Sequence, residues 1–552
     1  MTTTSKFATA NHLWRFSECA DEKGNRAKLV IDFLSRGSKA AFPLILELSD
    51  CQRPKAVMDK LIDRGADIDP DIDADLLATL IKRPALLQGS YYTKAGFHER
   101  FFIANGIAYG EVPENWVVDP NMRDDLANKY GSKGSLKEWK KYVAKPADKS
   151  DFVMFAILLA FAATLQRIVF GETTEGVLFN LAGGSSRGKT TALMAAQSTM
   201  GIGTNLAVFD QTPRRLAEHA AASSDTLILY DDSDRASSRA GFSKDFVGAL
   251  HMLTSGEARK YSGTVKEQFP DLHWTFMALI GSRTTLEQLA ADHGHRREDH
   301  ERVRALDLIV PPPEKGGIWT DLDEHDDARD LSDQLKASSA EFYGTVFPVW
   351  LKHIVANDHV ARSAKELVDW YVDQFGLDQT DHLGHRIAKK FGLILAAGIL
   401  AKEHKLLDWG RNTILGVVDA MHRNALQTLH SEKLLVQKGL VRLRDLANVP
   451  SSRVVKGTLK CDAGAEPTEF VKEKNARRCL YITKDRLSQL FPTKAALDAA
   501  LLELQQDGAY QKPKKGPITK LLKCFIGGKA KKRRYVKIDA DKLLKVSSEE
   551  ND

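Results

Sequence analysis

At 552 residues, with 43% hydrophobic and 28% charged positions, the chain is too long for one ordinary core and too apolar for a disordered or fibrous protein. Three or four domains are expected. The formal net charge of +6 is small for this length and gathers toward the C-terminus, so partners are read from where the charge lies.

The opening residues MTTTSKFATANHLW lack the apolar run of a signal peptide. Cys19, Cys51, Cys461, Cys479 and Cys524 form no CxxC pair and no metal-ligand spacing, which fits the reduced thiols of a cytoplasmic protein. IDFLSRG and FPLILEL read as short strands beside a helix beginning near Pro54, so residues 1–145 are expected to form an accessory α+β domain. The run Asp67, Asp69, Asp71, Asp73, Asp75 resembles a calcium loop, but Ile72 and Ala78 stand where its Gly and closing Glu belong; a solvated turn is expected. GSKGSLKEWKKYVAKPADKS, rich in Gly, Ser and Lys, reads as a linker. The longest apolar stretch, Phe152 to Leu165, falls short of the about 20 residues a bilayer needs and is followed by Gln166 and Arg167. It predicts a buried helix and no membrane partner.

Residues 150–320 alternate helices with apolar strands (Val177 to Leu181, Thr226 to Tyr230, Trp274 to Ile280), the pattern of an α/β domain with a largely parallel sheet. Within it, VLFNLAGGSSRGKTTALMAAQ carries the full G-x-x-x-x-G-K-T spacing between a strand and a helix. Gly183 and Gly188 allow the tight turn that aims N–H groups at phosphate oxygens, and the helix N-terminus adds its dipole. Gly183, Gly184, Ser185, Ser186, Gly188, Lys189, Thr190 and Thr191 are the candidate ATP cradle, with Lys189 reaching the β- and γ-phosphates and Thr190 ligating Mg²⁺.

TLILYDDSD is an apolar strand ending in acids: Asp231 is the candidate metal-side carboxylate and Asp232 the candidate water-orienting group. HWTFMALIGSR ends in Ser282, a candidate γ-phosphate sensor. Arg304, with Arg302 and Arg386 as alternatives, is the candidate finger supplied to a neighbouring subunit, or a sensor in the same one. His293, His295 and His300 lie in HGHRREDHER, which lacks metal-site spacing and reads as a charged loop.

Residues 321–445 show helical periodicity, clearest in RIAKKFGLILAAGILAKEH, and predict a helical lid. In residues 446–545 the order strand, helix, turn, helix, basic hairpin with Gly527-Gly528 at its tip suits a winged helix. No acidic residue occurs from Lys512 to Lys537. Lys494 is the candidate major-groove residue, and Lys529, Lys531, Lys532, Arg533 and Arg534 are candidate phosphate contacts of the wing. Arg259 and Lys260 are candidates for a second DNA contact inside a ring.

FNLAGGSSRGKTTAL, the segment Thr212 to Glu218, LILYDD, the segment Gly256 to Lys260, VRALDLIVPPP, EFYGTVFPVW and RIAKKFGLILAAGILAKEHKLLDW together resemble the bacterial and phage P-loop family known as domain of unknown function 927. Some members are similar to MCM-like AAA+ replication helicases of mobile genetic elements. The resemblance implies an AAA+-like P-loop ATPase core, ATP and Mg²⁺ as cofactors, single-stranded or origin-duplex DNA as partner, and a homo-oligomeric ring, expected to be a hexamer. Two departures bear on it: Asp232 replaces the usual Glu, and Glu257, Ala258, Arg259, Lys260 replace the family's Gly-Lys pattern after Gly256. The competing expectation is a nucleotide-gated regulatory switch that binds DNA or a partner without unwinding.

Overall fold

Ser150 opens the apolar helix Asp151–Phe170 by accepting the Val153 N–H at 3.1 Å, and Gly171, at φ +89°, closes it. The helix is buried on nearly every side because it packs against the helices Lys189–Met200 and His382–Glu403. Phe155 sets its ring edge-on to Phe179 at 5.3 Å and tilts against Phe391 at 5.8 Å. Among the described residues it is one helix long and apolar enough to cross a membrane; 83% of that window lies inside the protein, as a core helix does.

The structure, a computed structural model, describes residues 15–34, 41–66, 87–118, 130–231, 242–258, 272–292, 297–322, 327–374, 382–448, 454–455, 458–460, 469–491, 494–511 and 520–549, apart from a few positions inside those spans. The aspartate run from Asp67, Asp232, Arg259, Lys260, His293 and His295 lie outside the described residues. Two compact units are formed, Met1–Leu286 with Glu298–Arg423 and Glu287–Arg297 with Asn424–Asp552.

In the first unit, five parallel strands lie in the order Ala207–Val208, Leu227–Asp231, Met277–Ser282, Val177–Ala182, Ala305–Ile309. The central strands are largely apolar because both faces are covered, with Asn180 a buried polar exception. The strand expected from Thr226 starts at Leu227, since Thr226 bonds back to Ser223 through both its N–H and its hydroxyl. The strand expected from Trp274 starts at Met277, since Trp274 is engaged with Gly256 and Leu253.

N-terminal to this core, the strands Ala41–Glu47, Arg26–Leu34, Arg15–Ala20, Leu87–Tyr92 and Trp116–Val118 make a mixed sheet. The helix Pro54–Asp63 covers it with Val57, Met58 and Leu61 against Leu29, Ile31, Phe33, Leu44 and Leu46. A three-stranded antiparallel sheet (Gly96–His98, Phe101–Ala104, Ile107–Gly110) follows and meets the core at Asp225. That carboxylate accepts the Phe97 N–H at 3.0 Å and the Arg167 guanidinium at 3.3 Å. Gly96 has no room for a side chain there, since a Cβ would sit 2.1 Å from Asp225 Oδ2.

The segment read as a linker is instead folded. Ser135 and Glu138 form a capping box for Leu136–Trp139, a π-helical turn continues over Lys140–Ala144, and Pro146–Lys149 is 3₁₀. Lys133 pairs with Tyr343 through two backbone hydrogen bonds. Beyond the sheet, the stretch with helical periodicity forms Ala328–Glu341, Phe347–Ala356, His359–Gln374, His382–Glu403 and Arg411–Ala447.

The second unit holds a six-stranded sheet in which Arg477–Thr483 leads through the helices Lys484–Leu490 and Lys494–Gln506 to the hairpin Lys520–Ile526 and Lys529–Asp539. Its core gathers Leu480, Ile482, Leu487, Ala500, Leu504, Val536 and Ile538.

Candidate functional site

The strand Val177–Ala182 delivers the loop 183–188 to the C-terminal edge of the parallel sheet, where the helix Lys189–Met200 begins. It is also the strand at which the sheet order reverses: three later strands lie on one side of it and Ala305–Ile309 on the other. Open α/β sheets hold their ligands at such points. Gly188 adopts φ +86°, and a Cβ on it would come 2.7 Å from Ile318 Cγ1. A Cβ on Gly183 would come 2.8 Å from Arg187 Cδ and 3.0 Å from the Val310 carbonyl oxygen. Ser186 takes the left-handed conformation at φ +60°. Gly188 is therefore required by its backbone angle, and at both motif glycines a Cβ would displace a neighbouring side chain.

The Lys189 ammonium donates to the carbonyl oxygens of Gly183 at 2.6 Å and Gly184 at 2.7 Å. Thr190 donates its hydroxyl to Asp231, 3.1 Å from Oδ2 and 3.2 Å from Oδ1. A hydroxyl and a carboxylate this close, beside an ammonium inside a glycine loop, match the hard oxygen donors that Mg²⁺ takes together with phosphate. Thr191 is fully buried and its hydroxyl has no hydrogen-bond partner. Gly281 completes the floor, where a Cβ would lie 3.6 Å from Lys189 Cβ and 3.7 Å from Asp231 Oδ1.

Ser282 ends its strand beside Ala182 and is 4% exposed. Its carbonyl accepts the Gly183 N–H at 3.1 Å, while its hydroxyl donates to the Thr284 carbonyl. The side chain is thus engaged with its own turn. Below it lies a pair that sequence reasoning missed: buried Asn180 donates to Asp307 at 2.7 Å and to the Thr284 carbonyl at 3.3 Å, and Asp307 accepts the Leu286 N–H. The signal was a polar residue inside each of two apolar strands, FNLA and LDLI.

Arg304 lies at the opposite end of the sheet. Its carbonyl accepts the Leu178 N–H at 2.8 Å, at the N-terminal edge of the loop strand. The guanidinium donates to Glu175 at 2.6 Å, and Arg386 and Lys390 converge on the same carboxylate, Lys390 at 2.8 Å. Burial alone would push the Glu175 carboxyl up; Lys390, Arg304 and Arg386 outweigh it and hold it below its ordinary range. Burial pushes the Lys390 ammonium down despite Glu175. A strand of this length separates these arginines from the loop by about 15–20 Å, so a sensor role for Arg304 or Arg386 in the same chain's site is excluded by position. Arg302 pairs with Asp299 at 3.4 Å.

In the second unit, Lys494 is the first residue of its helix. The hairpin register sets Lys523 opposite Lys532, Cys524 opposite Lys531, Leu522 opposite Arg533 and Leu521 opposite Arg534. Arg534 is exposed, and the chain turns inward at buried Tyr535.

The fold and site are those of a mixed α/β protein with a glycine loop at the reversal point of a parallel sheet. The family described as domain of unknown function (DUF927) matches residues 16–268. No curated protein matches the chain. Among solved structures, the chain is similar to one described as "SCCmec type IV Cch - active helicase", at 17% identity and a TM-score of 0.61, with 97% of this chain and 95% of that one covered. At that identity the likeness is one of fold.

Proposed function

We propose that the protein is a cytoplasmic ATP-driven DNA helicase or translocase of a mobile genetic element, acting as a ring, with an AAA+-like core and a C-terminal winged helix. The observation that carries this reading is the Thr190 hydroxyl 3.1 Å from Asp231, beside Lys189 inside the glycine loop. In this reading Lys189 leaves its two carbonyls for the β- and γ-phosphates, and the loop N–H groups and Thr191 take further phosphate oxygens. Thr190 and Asp231 would hold Mg²⁺, which would supply charge neutralisation at the phosphates. Asp232 orients the attacking water, and Ser282 senses the γ-phosphate once its hydroxyl rotates from Thr284.

Arg304 and Arg386, far from their own loop and side by side on Glu175, serve a neighbouring subunit's nucleotide. The fold likeness to a structure described as an active helicase supports the DNA-acting side of this reading. So does the strand, helix, helix, hairpin order of the second unit, with its cations from Lys529 to Arg534. A hexamer is the ring size expected.

One observation favours a slower, regulatory machine: the Ser282 hydroxyl is engaged by Thr284. A nucleotide-gated switch that binds DNA without unwinding is the second reading. ATP hydrolysis by the purified protein with and without single-stranded DNA, using Lys189→Ala as control, separates them. Strong DNA stimulation that the variant abolishes supports the motor, and DNA-indifferent hydrolysis supports the switch. Absence of Lys189-dependent hydrolysis overturns both.

A further inference from the structure

Between the folded segment that begins at Leu136 and the turn Asp408–Gly410 lies a groove of about 920 Å³. Its wall carries Lys137, Lys140, Lys141 and Lys145. Lys137, Lys141 and Lys145 are exposed, line the same groove and follow one another at four residues, about one turn each. Two carboxylates answer part of this charge: Asp408 takes Lys140 at 2.5 Å and Asp148 takes Lys145 at 2.5 Å. Lys137 and Lys141 have no carboxylate partner among the described residues, and Lys141 donates only to the Tyr142 hydroxyl at 3.0 Å. Four ammonium groups thus face two carboxylates.

The wall is held firmly. Trp139 is fully buried and donates its indole N–H to Ser198 Oγ at 3.0 Å. Trp409, 6% exposed, donates to the Ala144 carbonyl at 3.0 Å and fixes the opposite bank. The capping box at Ser135 and Glu138 sets the start of the helix. A backbone held this firmly loses little freedom on binding.

We propose that this groove binds the phosphate backbone of single-stranded DNA, a contact separate from the C-terminal basic hairpin. The choice of DNA as the polyanion rests on the proposed function above. A row of lysines, flexible point charges with no fixed fork, suits a continuous chain of phosphates better than one shaped anion. Position adds a second argument. Trp139 bonds to Ser198, in the last turns of the helix whose first residue is Lys189. A strand in the groove therefore lies one rigid helix from the nucleotide loop.

The test is single-stranded DNA binding by the full chain, measured by fluorescence anisotropy of a labelled oligothymidine over a salt series, for wild type and Lys137→Glu/Lys141→Glu. The variant is expected to bind at least tenfold more weakly at low salt. The slope of log affinity against log salt should be shallower by about 1.4, at about 0.7 per lost contact. DNA-free ATP hydrolysis and Tm should stay at wild-type values. Lys137→Ala/Lys141→Ala should give the same slope change with a smaller affinity loss, which separates a lost contact from new repulsion. Wild-type affinity and slope in both variants overturn the proposal. Unchanged DNA binding with weakened binding of polyglutamate would assign the groove to an acidic protein, and also overturns it. If the wild type binds no DNA under any condition, the DNA-acting function itself fails first.

Discussion

Removing the Glu175 carboxylate should destabilise the first unit, and removing Lys390 as well should restore part of the loss. Lys390 has 10% of its side chain exposed and Glu175 22%, and their contact is 2.8 Å. Breaking a buried pair by deleting one partner costs about 3–5 kcal/mol, because the other charge is left without an answer. Glu175 is partly wetted, so Glu175→Ala is expected at the low end, about 3 kcal/mol. For a unit of roughly 400 residues, unfolding entropy at about 2.1 cal/mol/K per residue turns that into a Tm drop of about 4 °C. Lys390→Met alone leaves Glu175 with Arg304 and Arg386, and should cost less. In Glu175→Ala/Lys390→Met the orphan ammonium is gone, so the double variant should melt above Glu175→Ala. Differential scanning calorimetry of the four proteins closes the cycle. A double variant that loses the simple sum of the two single losses would refute the reasoning, since the carboxylate and ammonium would then be energetically independent.

Gly188→Ala should abolish nucleotide binding and lower Tm, because φ +86° and an Ile318 carbon 2.7 Å from the new Cβ oppose it; equilibrium binding of a fluorescent ATP analogue measures this. Asp231→Asn should raise the Mg²⁺ concentration needed for half-maximal hydrolysis several-fold while nucleotide binding without metal changes little, as a magnesium titration would record. Buried His422, stacked on Phe391 at 4.4 Å, has its pKa pushed by burial from 6.5 to about 3. Its folded pKa is the lower one, so the unfolded chain binds the extra proton. Stability is then complete above pH 6.5 and falls as pH drops toward 3. Between 6.5 and about 5 the loss is about 2 kcal/mol at 1.36 kcal/mol per unit, and His422→Phe should flatten that part of the Tm profile.

What was legible in the sequence is what local chemistry specifies. The loop from Gly183 to Thr190 could be read because its spacing is fixed by one turn and one helix start, and Asp231 because an apolar strand ends in it. The cluster on Glu175 could not, because its members lie 129, 211 and 215 positions away and no short-range pattern marks them. The folded segment after Gly134 reads as a linker from its Gly, Ser and Lys content, which hides two facts about tryptophan. Trp139 anchors to Ser198, and Trp409 reaches back to Ala144 across 265 positions. Strand starts shifted for a related reason: Thr226 and Trp274 have strand-like side chains, but their backbone groups bond to turns.

The two ends of one parallel sheet divide the chemistry of the proposed motor. At the C-terminal ends of the strands, glycine backbone, Lys189, Thr190 and Asp231 gather, the set proposed to hold phosphate and metal. At the N-terminal ends, Arg304, Arg386 and Lys390 gather on Glu175, a surplus of positive charge. A single copy cannot bring these arginines to its own phosphates, because the strands between them are rigid and covered on both faces. If the arginines act on a nucleotide, it must be held by another copy, and that is the physical argument for a ring. Helix Lys189–Met200 and its Ser198–Trp139 bond then give the nucleotide end a stiff connection to the lysine groove, so DNA contact and phosphate contact lie along one element rather than across a flexible joint.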